Sequence, residues 1–173
     1  MTQTKRAAAR QAPAGLTVGY AYGNALTSRI IEWREAGGPS HATTMVAPGY
    51  VIDARYRGGV ARRPVSYLSG TRVRWFRVPA TEARVREAIA FLTSQCGQAY
   101  AWLDILAFAV PSSFKRLTGA KHPWMCSYLQ AGCEVAATIL PKPPVGLERL
   151  DPNDLMLMNS AHYAVELPGP SFD

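Results

Sequence analysis

The sequence predicts an α+β fold in which an antiparallel sheet packs against helices. Three observations point there. Strand-like runs fill the first half of the chain, at residues 16–22, 41–46, 50–56 and 72–78. Helical stripes fill much of the second half, from Thr81 onward. Pro48-Gly49 lies between two of the strands, where a tight hairpin turn is needed. With 173 residues, 48% of them apolar and 18% charged, the chain can bury a core of its own. One domain is expected over residues 15–167, with a basic tail at 1–14 and a short tail at 168–173.

The elements follow in order. Residues 16–22 alternate as a strand does, and Gly23-Asn24 ends them. Asn24 can cap a helix over 25–35, in which Leu26, Ile30 and Trp33 share a face. Gly37-Gly38-Pro39 closes that helix. His41 and Tyr50 open the two hairpin strands. Gly58-Gly59 begins a loop rich in arginine, and Pro79 ends the strand at 72–78. Thr81 caps a helix whose apolar stripe is Val85, Ile89, Leu92 and Cys96, with Gly97 at its C-terminal end. A more buried helix is expected over 100–110 and a loop over 111–123. Pro123 stands where a further helix begins, with Met125, Leu129, Cys133 and Ala136 on its buried side. Pro141, Pro143 and Pro144 end it. Residues 155–158 and 162–167 are expected as closing strands.

Net charge is +7 and the isoelectric point about 9.6, which favours anionic partners such as nucleic acid, phospholipid headgroups or acidic polymers. Three cysteines in a chain of this size imply no disulfide framework. Reduced thiols suit a cytoplasmic or unprocessed setting, in a bacterium or a bacteriophage. Lys5, Arg6 and Arg10 precede no apolar segment of the kind a secretory signal carries. No run reaches the roughly 18 apolar residues that span a bilayer.

Cys126 falls in the first turn of its expected helix. Free N–H groups and the positive end of the helix dipole stabilise a thiolate there, and can also hold an oxyanion. His41 opens a strand, and Asp53 lies an even number of residues away across a turn centred near residue 47. That spacing sets the two side chains roughly opposite one another on one face of the sheet, provided no bulge intervenes. Nucleophile, base and orienting carboxylate are the parts of a cysteine hydrolase. The plainer reading of Cys126 is a buried structural thiol, and of His41 a strand-end residue satisfied by a loop. Cys96 and Cys133 are read as core. His122 and His162 are rival bases without an evident carboxylate. No Cys/His cluster has metal-ligand spacing, and no cofactor is implied.

Seven arginines lie between Arg55 and Arg77, with Trp75 and Phe76 among them. Of these, Arg62, Arg63, Arg72 and Arg74 are the candidates for contact with an anionic surface or substrate. Basic residues interleaved with aromatics can also bind single-stranded nucleic acid, or form a solvated sheet edge. No sequence-specific nucleic-acid motif is present.

The order of Ser28-Arg29-Ile30-Ile31-Glu32-Trp33, Pro39-Ser40-His41-Ala42, Val51-Ile52-Asp53-Ala54, Gly97-Gln98-Ala99-Tyr100 and Met125-Cys126-Ser127-Tyr128-Leu129 resembles the circularly permuted NlpC-like hydrolases. These are the YiiX/YaeF-like branch of the papain-fold superfamily, distantly related to lecithin:retinol acyltransferases. The resemblance spans roughly residues 16–158. It implies a papain-like fold with the histidine strand ahead of the cysteine helix, Cys126 as nucleophile, His41 as base and Asp53 as third residue. The family more often carries Glu, His or another polar group at that third position. The activity implied is cleavage of an amide bond in a peptide, including cell-wall peptides, through a thioester. Transfer of an acyl group between a lipid or acylated small molecule and an amine is the alternative. A further alternative is a non-catalytic module that holds an anionic polymer on its arginines. Tyr20, Tyr100 and Ser127 are candidate oxyanion or substrate contacts.

Overall fold

The computed structural model of the chain describes residues 14–23, 37–99, 125–141, 150–161 and 164–168. The expected helices over 25–35 and 100–110, the loop over 111–123, most of both tails, Tyr100, His122 and His162 lie outside them. Within them, six strands form one antiparallel sheet in the order β4-β3-β2-β1-β5-β6. The strands are β1 (Gly15–Tyr22), β2 (His41–Ala47), β3 (Tyr50–Arg55), β4 (Gly59–Pro64), β5 (Arg72–Pro79) and β6 (Val165–Leu167). Three helices accompany them: α1 (Glu82–Ser94), α2 (Cys126–Ala136) and α3 (Pro152–Ala161). A 3-10 turn, Val65–Leu68, joins β4 to β5. The α+β class with an antiparallel sheet is therefore observed. Among the described residues, no helix is long and apolar enough to cross a membrane.

The two faces of the sheet carry separate apolar clusters. Leu16, Val18, Ile52, Phe76 and Val78 point to one face, where Leu92 of α1, Leu129 of α2 and Leu155 of α3 pack on them. Ala21, Val51 and Trp75 point to the other, where Val65 and Leu68 of the 3-10 turn cover them. Gly19 permits this second layer: a Cβ there would lie 2.8 Å from the Trp75 ring.

The β2–β3 hairpin decides what the sheet can do. Ala47 pairs with Tyr50 across Pro48-Gly49, and Gly49 takes the positive φ of +74° that such a turn requires. A regular hairpin closed this way would set Thr44 opposite Asp53, and would send Asp53 and His41 to opposite faces. The register instead shifts between Met45 and Ala47, so that Thr44 pairs with Ile52. Thr43 then stands opposite Asp53, on the same face as His41. The expectation of a shared face holds for a different reason than supposed. The two side chains are diagonal neighbours, and a bulge brings them together instead of separating them.

Four expectations need correction. Residues 59–64 form an edge strand paired with β3, not a loop. Consecutive Arg62 and Arg63 obscured an alternation in which Val60 is buried, and charged residues suit an edge. Residues 155–158 belong to helix α3, not to a strand. Asp151 caps it by accepting the Asp154 N–H at 2.7 Å, and Pro152 occupies its first position. Cys96 is exposed because α1 ends at Ser94 and the chain turns away. On α2, Leu129 and Cys133 are buried, as is Ala137 just past its end, whereas Ala136 is exposed.

Candidate active site

Cys126 is the first residue of α2, and Met125 before it is extended and offers no side-chain cap. The N–H groups of the first turn therefore have no acceptor within the helix. α2 packs against β2 and β3, which brings its start to the beginning of β2. That point is pinned by Ser40. Its N–H donates to the Ala21 carbonyl at 3.0 Å, and its hydroxyl accepts from the Gly23 N–H at 3.1 Å. The Cys126 sulfur meets the His41 ring and the backbone of Ala42.

His41 Nε2 lies 2.7 Å from Asp53 Oδ2, which leaves Nδ1 as the ring nitrogen for the sulfur. The Asp53 side chain is fully buried and His41 is 17% exposed. Two further residues complete the carboxylate's surroundings. Arg63, diagonal to Asp53 on β4, donates to Oδ1 and, at 3.2 Å, to the Asp53 carbonyl. Tyr67, in the 3-10 turn, donates its hydroxyl to Oδ2, the oxygen that also faces His41. The same hydroxyl is 3.5 Å from His41 Nε2.

Burial opposes every charge here, and contacts outweigh it. Burial raises the Cys126 thiol, but the His41 charge and hydrogen bond bring it below its usual value. Burial lowers His41, but Cys126 and then Asp53 push it up to about 10. Burial raises Asp53, but the His41 and Tyr67 hydrogen bonds and the Arg63 charge hold it down. The pair is thus biased toward thiolate and imidazolium, with an ionised carboxylate behind the ring.

Cys126, His41 and Asp53, all expected from the sequence, are brought together. Tyr20 is not with them. Its side chain is buried on the helix-covered face, where its hydroxyl accepts from Gln130 Nε2 at 2.9 Å and Asn159 Nδ2 at 2.6 Å. Those two amides also donate to Glu134 Oε1, so β1, α2 and α3 meet in a second buried polar cluster. The Ser127 hydroxyl is buried and donates to the Leu150 carbonyl at 2.6 Å, so it ties α2 to the start of α3. Only its backbone N–H remains near the Cys126 sulfur. Of the arginines, Arg63 is turned inward onto Asp53, and Arg74 forms a two-pronged pair with Glu166. Arg62 stacks on Tyr50 and Arg72 on Tyr22.

Sequence reasoning missed Tyr67, and missed the role of Arg63. Arg63 lay in a segment read as a loop. As a strand, its diagonal position to Asp53 follows from register alone. For Tyr67 no sequence signal pointed to the site. Comparison with protein-family models and with curated proteins finds no match for the chain.

Proposed function

We propose that the protein is a cysteine hydrolase that cleaves an amide bond through a thioester acyl-enzyme. The observation that carries this reading is the contact of Cys126 with His41 at a helix start, with Asp53 bound to the far side of the ring. The Cys126 thiolate attacks the carbonyl carbon, and the electrons of the carbonyl bond move to its oxygen. First-turn N–H groups of α2 are placed to receive that oxyanion. The His41 imidazolium gives its proton from Nδ1 to the leaving amine as the C–N bond breaks. Water, deprotonated by the now neutral imidazole, then opens the thioester. The Asp53 carboxylate holds the ring in register and offsets its charge throughout.

The arrangement also supports membership of the circularly permuted NlpC-like, papain-fold group, with the histidine strand ahead of the cysteine helix. Peptides, including cell-wall peptides, are the proposed substrates. The test is acyl-enzyme trapping. Incubation with p-nitrophenyl acetate should leave a hydroxylamine-labile acetyl group on the Cys126 peptide, read by mass spectrometry. Acylation at other residues only, or at none, would refute the reading. Acetyl transfer to an added amine in preference to water would move it to acyl transfer.

A further inference from the structure

Arg55 is the last residue of β3, two positions beyond Asp53 and on the same face. It is exposed. Its guanidinium carbon lies 4.9 Å from the centre of the Tyr67 ring. The hydroxyl of that ring is the group 3.5 Å from His41 Nε2. One aromatic ring therefore separates this guanidinium from the proposed base.

The other arginines on this sheet are differently placed. Arg63 is spent on Asp53 and Arg74 on Glu166. Arg62 stacks on Tyr50 at the hairpin end of β3, away from His41. Arg55 has no carboxylate partner among the described residues. Tyr67 covers one face of its guanidinium and holds it by a cation–π contact, which leaves the N–H fork to another ligand. Asp53, two residues earlier on the same strand, is already matched by Arg63 and the imidazolium. A cation with an open fork, held one aromatic ring away from the proposed base, suits a carboxylate.

We propose that Arg55, seated on Tyr67, is an anion subsite, and that the substrate carries a carboxylate close to the carbonyl that Cys126 attacks. This rests on the hydrolase reading above and narrows it to acidic substrates. The subsite would supply attraction and orientation to the approaching substrate. It takes no part in bond making.

Two alkylating agents of nearly equal size test this without a known substrate: iodoacetate, which bears a carboxylate, and iodoacetamide, which does not. The reading is the ratio of their rates at Cys126 near pH 7, by peptide mass spectrometry. Changes in thiolate reactivity cancel in that ratio. Arg55→Gln should lower it about three- to tenfold, as expected for one unit charge removed from a partly solvated site. Arg55→Glu should lower it further. Arg62→Gln changes net charge equally at the far end of β3 and should leave the ratio near its native value. An equal fall in the Arg62 and Arg55 variants, or no fall in either, would overturn the subsite while leaving the hydrolase reading standing. Failure of iodoacetamide to label native Cys126 would overturn both. Acetate should slow iodoacetamide labelling of the native protein more than that of Arg55→Gln. Stronger protection by phosphate than by acetate would overturn the carboxylate in favour of a phosphoryl group.

Discussion

Among the described residues two carboxylates are buried, one on each side of the sheet, and their surroundings drive them in opposite directions. Asp53 meets a guanidinium, an imidazolium and a tyrosine hydroxyl, and is held below the usual carboxylate range. Glu134 meets the neutral amides of Gln130 and Asn159 beside Tyr20, and burial pushes it up to about 7. Both are fully enclosed by protein and both have a tyrosine nearby. A buried carboxyl stays an anion where cations and hydrogen-bond donors together outweigh the cost of burial. On the Asp53 side the charge serves the Cys126–His41 pair. On the Glu134 side the hydrogen bonds join β1, α2 and α3, and the proton is kept well above the usual carboxyl range.

The comparison can be broken from either side, and the largest effects belong to the Asp53 side. Cys126→Ala should abolish acylation and leave thermal melting nearly unchanged, since a small thiol contributes little packing. His41→Ala should cut iodoacetamide labelling at pH 6 by about a hundredfold, because the thiolate loses its cation. The double variant should be no worse than Cys126→Ala alone. Asp53→Asn should be milder on labelling, about tenfold at pH 6, equal to a rise of about one pKa unit in the thiol. Its stability loss should be larger than its isosteric shape suggests, about 2–4 kcal/mol in urea melts, because Arg63 is left largely buried without its anion. An Asp53→Asn protein as stable as the native one would mean that Arg63 finds another partner.

Tyr67→Phe should come next. It removes one donor to Asp53 Oδ2 and keeps the ring beneath Arg55. Loss of a hydrogen bond to a charged group is expected to cost about 1–2 kcal/mol and to slow labelling about threefold. An unchanged pH profile would make Tyr67 a packing residue only. The smallest effect on reactivity belongs to Glu134→Gln, which should leave labelling of Cys126 untouched. Its effect is on stability against pH. A carboxyl whose native pKa lies above its unfolded value keeps its proton more firmly when folded. The Glu134 contribution is therefore full below about pH 4.5 and is lost as pH rises to about 7. Glu134→Gln should flatten that decline and exceed the native protein at pH 8 by on the order of 2–3 kcal/mol. A native stability curve that rises between pH 5 and 7 by as much would contradict this reading of Glu134.

The parts of the site that the sequence made legible are those fixed by short-range pattern. Cys126 at a helix start and a hairpin turning on Pro48-Gly49 both follow from local spacing. What was not legible depends on pairing between distant segments. A one-residue bulge before Pro48 decides the face of Asp53, and it leaves no mark in composition. Arg62-Arg63 reads as a loop until β4 is known to pair with β3. Tyr20 looked available to a substrate because strand alternation does not say which of two covered faces holds the partners of Cys126. The misreading of α3 was different in kind. Asp151-Pro152 is a helix-start signal, but it also suits a turn that leads into a strand, and apolar residues 155–158 favour that reading.

Accessibility and electrostatics give opposite orders of reactivity for the thiols, and one measurement separates them. Cys96 is exposed, whereas Cys126 is 4% exposed and Cys133 is fully buried, its thiol raised chiefly by burial. Site-resolved iodoacetamide labelling should be followed from pH 5 to 10 by peptide mass spectrometry. If Cys126 and His41 form a thiolate–imidazolium pair, Cys126 should be labelled before Cys96 throughout the acidic and neutral range. Its rate should change again near pH 10, as His41 loses its proton. Labelling of Cys96 first at pH 6, with Cys126 following only above pH 8 as an ordinary thiol does, would contradict the ion pair and the hydrolase built on it.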